Sequence, residues 1–150
     1  MRRRAWMLIV AALLPAGAGC LRILPKDRPE PPAAAIEKHV LCAAVAARDG
    51  WAEPGPDVAS FARGPQTAAH SFLELRRVRG RHTAAWKWYE PAGLLIRASE
   101  PIVIGEEGKT FDRYIAWDRI LLNESRGPGN WTVAVFIDGM LAASRSFEVR

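Results

Sequence analysis

The chain has 150 residues and a formal net charge of +5, drawn from 21 basic and 16 acidic side chains. Arg2, Arg3 and Arg4 belong to an N-terminal segment with the pattern of an export signal, and residues 1–19 hold no acid, so the 131 residues that follow carry only +2. That length suits one domain with its own core, and the near-neutral balance removes the electrostatic case for general nucleic-acid binding.

Residues 1–19 read as a signal peptide: three arginines, an unbroken apolar run from Ala5 to Leu14, then the small residues Pro15-Ala16-Gly17-Ala18-Gly19. The run is about half the roughly 20 residues that a membrane-spanning helix needs, and no later segment offers one. Two processing routes fit. Ala16-x-Ala18 meets the A-x-A rule for simple secretion. Gly17-Ala18-Gly19-Cys20 resembles the lipobox of bacterial lipoproteins, with Gly17 standing where leucine is usual. The resemblance implies that Cys20 receives a diacylglycerol, becomes the new N-terminus and anchors the protein to a membrane. Leu21 follows the cysteine in place of the aspartate that favours inner-membrane retention, which points to the outer membrane, facing the periplasm. Cleavage after Ala18 would instead leave a periplasmic or secreted protein. The state of Cys42, the only other cysteine, depends on the route. With Cys20 acylated it is a small buried apolar residue, and with Ala18 as the cleavage point a Cys20–Cys42 disulfide becomes open to it.

Residues 20–35 form a tether in which Pro25, Pro29, Pro31 and Pro32 alternate with Lys26, Asp27, Arg28 and Glu30. Proline at this density favours extended chain over packing. The domain is then expected over residues 36–150. Residues 36–47 fit either a helix or a buried strand, and are assigned as strand because the rest of the chain reads as sheet. Ala69, Ser71, Leu73 and Leu75 alternate in one strand, His82, Ala84, Trp86 and Trp88 in the next. Leu94 and Ile96 open another after Pro91-Ala92-Gly93, Ile102 and Ile104 a short one, and Ile115, Trp117 and Leu121 set the apolar face of the following strand. After Gly127-Pro128-Gly129-Asn130, Trp131, Val133, Val135 and Ile137 alternate strictly. Leu141, Ala143, Phe147 and Val149 alternate too, with Arg145 as the one break. Asp138-Gly139 between them is the signature of a two-residue type I′ hairpin.

About seven short strands spaced in this way predict an all-β, antiparallel sandwich. The run Gly129-Asn130-Trp131-Thr132-Val133-Ala134-Val135, with Asp138-Gly139 and Phe147-Glu148-Val149, resembles the closing hairpin of immunoglobulin-like domains in bacterial envelope proteins. Trp86-Lys87-Trp88-Tyr89-Glu90-Pro91 adds to the likeness, with the tryptophans on a central strand. There is no Cys…Trp…Cys pattern, so an antibody-type domain is not implied. The resemblance speaks to fold and little to activity.

The chemistry-bearing residues are sparse. His39, His70 and His82 have no metal-ligand spacing, no serine sits in G-x-S-x-G, and Glu106-Glu107 lacks the further oxygen ligands that calcium requires. A hairpin over residues 68–88 would bring His70 and His82 onto neighbouring strands. Arg76, Arg77, Arg79 and Arg81 form the sharpest charge cluster: either a solubilising turn or an anion-binding patch, since arginine forks match phosphate and carboxylate. Trp51, in Gly50-Trp51-Ala52-Glu53-Pro54, is the tryptophan expected to be exposed and able to stack on a sugar. The reading that follows is a non-enzymatic envelope module, anchored through Cys20, that contacts another envelope protein. A glycan- or anionic-lipid-binding module is the alternative, and an envelope hydrolase ranks below both. No cofactor, metal or nucleic acid is expected.

Overall fold

The computed structural model describes residues 33–150, so the signal peptide, Cys20 and the tether up to residue 32 lie outside the described residues. Period-two patterning yields nine strands and, among the described residues, no helix. They are β1 (Ala35–Cys42), β2 (Val45–Arg48), β3 (Trp51–Pro54), β4 (Ser60–Phe61), β5 (Ala68–Tyr89), β6 (Leu95–Ala98), β7 (Ile102–Leu121), β8 (Gly129–Ile137) and β9 (Met140–Val149). The first segment is thus a strand, as its neighbours implied.

β5 and β7 are long because each belongs to both layers of a sandwich. The first half of β5 lies between β1 and the second half of β7, with Leu73 opposite His39 and Ala116. Its second half pairs with β6, with the start of β7 and with β8, which continues through β9 to β4. Two strands were expected over residues 66–88, and a single continuous one stands there. His70 and His82 therefore occupy different layers instead of adjacent strands.

The continuity depends on the corner. Arg77 and Gly80 both have positive φ (52° and 81°), which turns β5 without ending it. Across from it, Arg79 pairs with Thr110 while Gly80 pairs with Glu106, so Glu107, Gly108 and Lys109 loop out of β7. Here the two strands approach so closely that a Cβ on Gly105 would lie 2.2 Å from the Gly80 carbonyl oxygen.

Folding the sheet back on itself buries one apolar cluster that mixes both layers. Leu41, Leu73, Leu75 and Ile120 meet Trp86, Trp88, Trp131, Val133 and Phe147, all almost wholly inaccessible. The indoles do not leave their N–H groups unmet, which would be costly. Trp86 donates across the sandwich to Ser71 Oγ (3.0 Å), Trp88 to Asp118 Oδ2 (2.8 Å), and Trp131 to the Gly127 carbonyl (3.0 Å). On the outer face of the first layer, the β2–β3 ribbon covers Val40, Cys42 and Phe72. Cys42 is a free, buried thiol whose pKa burial pushes up.

The β8–β9 hairpin has the anticipated turn, with Asp138 at φ 51° and Gly139 at φ 77°, and Ile137 opposite Met140. Leu141 departs from expectation. A bulge at Ala142 shifts the register, so that Val135 faces Ala143 but Phe136 faces Leu141, and Leu141 turns to solvent. β7 also departs. Its inward set is Ala116, Asp118 and Ile120, and Trp117 and Leu121 are exposed. Apolar residues occupy both faces of this strand because the ribbon shelters part of the outer one, with Ile115 packed against it. Period two alone could not choose between the faces.

Alternation in β8 makes a direct test. Val133 is fully buried, whereas Thr132 lies on the opposite face with its hydroxyl 3.2 Å from Ser146 Oγ. Val133→Asp buries an unpaired charge and should cost on the order of 3 kcal/mol or more. Thr132→Asp should cost less than about 1 kcal/mol. Urea denaturation of the two variants checks this, and equal midpoints would contradict the register.

Candidate functional site

The arginine cluster sits at the corner, the end of the sandwich where the chain enters it. Arg79 N–H donates to the Ala33 carbonyl (2.9 Å), and Ala35 pairs with Arg76. Arg76, Arg77, Arg79 and Arg81 are all exposed. They are brought together, but not alone. The Arg76 guanidinium pairs with Glu37 and, at 3.3 Å, with Glu74, which also receives Arg113 (3.0 Å). Glu37 and Asp112 line an open cleft there together with Arg76 and Arg77. Lys109 pairs with Glu106 at 2.7 Å on the looped-out segment of β7. The corner is charge-mixed, and attraction for an anion is correspondingly reduced.

Trp51 opens β3 and is 51% exposed. The guanidinium of Arg113 lies 5.5 Å from its ring centroid, so a cation occupies one side of the indole. A sugar ring would have to use the other face or displace the arginine.

Each histidine has a structural occupation. His39 Nε2 is 2.8 Å from Ser71 Oγ, a serine–histidine contact of the kind that activates a nucleophile. The serine, however, is fully buried and also receives Trp86. Ser71 accepts the indole N–H across the sandwich and shares a second hydrogen bond with His39 of the neighbouring strand, which ties both residues into the packing. Burial, and next the Arg145 charge, lower the pKa of His39 to about 4, while the Asp57 carboxylate acts in the other direction. His82 is the opposite case. Its ring nitrogens face Asp138 Oδ2 (2.7 Å) and the Arg79 carbonyl (2.8 Å), two acceptors that favour the imidazolium, and its pKa is raised chiefly by Asp138. His70 is lowered, mainly by burial, and its ring lies 5.7 Å from that of Trp117. Among the described residues, no three His, Cys, Asp or Glu side chains group as metal ligands.

The two open sides of the sandwich are each closed by an arginine and an aspartate. On one side Arg145 points inward from β9, donating to Asp57 (2.9 Å) and to the His39 carbonyl (2.8 Å). Asp57 in turn receives the Leu41 N–H (3.0 Å). Burial works against this carboxylate, but the bonds from Arg145 and Leu41 outweigh it and its pKa is lowered. This explains why Arg145 interrupts the apolar alternation of β9. On the other side Arg97 of β6 pairs with Asp118, the acceptor of Trp88, and donates to the Arg119 carbonyl (2.8 Å).

That second side also carries exposed apolar residues, among them Trp117 and Leu121, which the sequence pattern set on the apolar face of their strand. Trp117 (42% exposed), Leu121 (49%), Ile102 (40%), Val103 (47%) and Leu95 (46%) all reach solvent there. A cleft of about 280 Å³ runs between Trp117 and Ile102, over Trp86 and the Arg97–Asp118 pair. Arg119 and Arg126 flank Leu121. The signal available in the sequence was the run Ile120-Leu121-Leu122, in which consecutive apolar residues must face both ways.

Comparison with known proteins places the fold. No family model matches the sequence, and no curated protein resembles it significantly. Part of the alkylpurine DNA glycosylase AlkC of Pseudomonas fluorescens, solved with DNA containing an abasic-site analog, superposes with a TM-score of 0.50 at 12% identity over 79% of this chain. This chain spans 30% of that enzyme's length. An immunoglobulin-like protein of Pseudomonas aeruginosa matches with a TM-score of 0.41 at 14% identity, covering 78% of this chain and 96% of that one. The CARDB domain of a Pyrococcus furiosus protein, solved with two metal ions, matches with 0.40 at 9% identity, covering 77% and 92%. Among the described residues the fold is an all-β sandwich. Likeness at this identity extends to the fold alone.

The histidines give opposed pH signatures. The folded-state pKa of His39 lies below its unfolded value of 6.5, so the unfolded chain binds more protons, and stability falls as pH drops from about 6.5 towards 4. His82, with a raised pKa, contributes fully below 6.5 and loses that contribution as pH rises through its folded value. His39→Gln should therefore flatten the acid side of a stability–pH curve by on the order of 2 kcal/mol, allowing for partial solvent access. Unchanged acid sensitivity, measured by denaturant unfolding between pH 7 and 4.5, would contradict the assignment.

Proposed function

We propose that this chain is a lipid-anchored bacterial envelope protein whose immunoglobulin-like domain binds another envelope protein and catalyses no reaction. The anchor rests on Gly17-Ala18-Gly19-Cys20 behind a basic and apolar leader, and on the proline-rich tether over 20–35. The binding role rests on one observation above the others, the cleft between exposed Trp117 and Ile102, with Leu121 exposed on the same strand as Trp117 beside Arg119 and Arg126. Isolated exposed apolar residues are ordinary, but an exposed tryptophan and isoleucine lining one cleft, with Leu121 beside arginines near it, have the composition of an interface. Arg119 and Arg126 fit a partner with carboxylates around an apolar centre. The absence of catalysis is supported by the occupation of Ser71 and His39 in the core. A glycan reading loses weight from the arginine against Trp51, and an anionic-lipid reading from the carboxylates around the arginine corner.

Cys20→Ala should move the protein from membranes to the soluble fraction, since two or more acyl chains hold a protein stably and one is marginal. Equal partitioning, with no lipid on the wild type by mass spectrometry, would refute the anchor. For the interface, a photo-crosslinking residue at Leu121 should trap one defined adduct in cells, and Trp117→Glu should reduce it at least tenfold while the melting temperature stays within a few degrees. Undiminished trapping in the Trp117 variant would remove the cleft as the binding surface.

A further inference from the structure

The molecule has a second exposed apolar feature, separate from the Trp117 cleft. The bulge at Ala142 turns Met140 and Leu141 outward beside the Asp138-Gly139 turn, where they are 72% and 63% exposed. They border a largely apolar cleft of about 390 Å³ whose other walls include Ala33, Ala34 and Ile137.

Strand registers fix where this tip lies. Ala35 pairs with Arg76, Ala84 with Ile137, and Ile137 with Met140, so the start of β1, the arginine corner and the β8–β9 turn share one end of the sandwich. The chain preceding Ala33 therefore joins the domain at the end where Met140 and Leu141 project. Twelve residues, and so thirteen chain steps, separate Cys20 from Ala33. Even as a fully extended polyproline-like spacer at ~3.1 Å per residue, that stretch would reach only about 40 Å. Arg150 and Leu121 lie towards the other end, since Val149 pairs with Gly129, and Ala68 with Leu121.

We propose that this end of the domain rests on the bilayer, with Met140 and Leu141 entering the interfacial layer. The proposal depends on the anchored reading of Cys20, because the anchor confines the domain to within reach of the surface and makes a weak apolar attachment sufficient. Apolar burial carries the attachment, and charge contributes little, because the neighbouring arginines share the corner with Glu37, Glu106 and Asp112. Arg81 and His82 beside the tip are polar side chains that suit the headgroup level. In this orientation Trp117 and Leu121 stay clear for a protein partner.

The test uses the mature lipidated protein in vesicles of phosphatidylethanolamine and phosphatidylglycerol. An environment-sensitive fluorophore is placed at Met140→Cys or, as control, at Ser125→Cys at the far end. Cys42 is buried and stays unlabelled. The label at 140 should shift to the blue and be quenched several-fold more strongly by spin-labelled lipid than the label at 125. The effect should persist from 20 mM to 150 mM salt, and Leu141→Asp should abolish most of it. An acylated, vesicle-bound protein whose label at 140 stays in water overturns the tip proposal alone. Quenching at 140 that vanishes at 150 mM salt, where surface charges are screened, overturns the apolar mechanism in favour of the arginines. A blue shift that needs no vesicles means that residues 21–32 cover the tip, and also overturns it. An unacylated Cys20 takes the label itself and removes the anchor and the tip proposal together.

Discussion

Everything in this fold depends on two strands being allowed to touch at one point. β5 and β7 pass from one layer to the other at the same place, and Gly105 lies against the Gly80 carbonyl with no room for a side chain. Because both glycines hold positive φ, the strands turn sharply without losing each other as partners. From that crossing follow the stacking of Trp86 and Trp88 over Leu41 and Leu73, the single buried cluster, and the exposure of four arginines on the outside of the bend.

A sheet folded over once leaves two open sides, and the chain treats them differently. Beside β1 and β9, the Arg145–Asp57 pair takes up backbone groups of His39 and Leu41 that would otherwise form a free strand edge. Inward-pointing charge and covered edges are a common defence against edge-to-edge association. Beside β6 and β7 the Arg97–Asp118 pair closes the core, but the rim beyond it stays apolar. That asymmetry underlies the functional reading: one side is sealed, and the other offers Trp117, Ile102 and Leu121 to a partner. Both pairs are partly buried, so each is expected to matter more for holding the layers in register than for net stability.

Much of this was legible in the residues, and the failures have physical causes. Strict alternation from Trp131 to Ile137 and the Asp138-Gly139 turn led directly to the last hairpin, because one face is buried and the turn residues tolerate positive φ. The alternation of Ala84, Trp86 and Trp88 placed the central tryptophans correctly. β7 departs from the pattern because a ribbon far earlier in the chain shelters part of its outer face, at Ile115, and no local pattern reports a tertiary cover. The corner of β5 looked like an arginine-rich hairpin turn because Gly80 marks a change of direction without saying whether pairing continues. Arg145 stood out as a break in pattern, but its partner, Asp57, is 88 residues away.

The most direct measurement is the thermal stability of Gly105→Ala against that of Gly108→Ala. Both positions have positive φ (74° and 72°), so both substitutions carry similar backbone strain. Only at Gly105 does the new methyl collide with backbone, whereas nothing lies within 4 Å of a Cβ at Gly108. Gly105→Ala should melt at least about 10 °C below Gly108→Ala, corresponding to roughly 2 kcal/mol in a domain of this size. Equal melting temperatures would mean that the strands do not cross at Gly80 and Gly105, and that the sheet is not folded there.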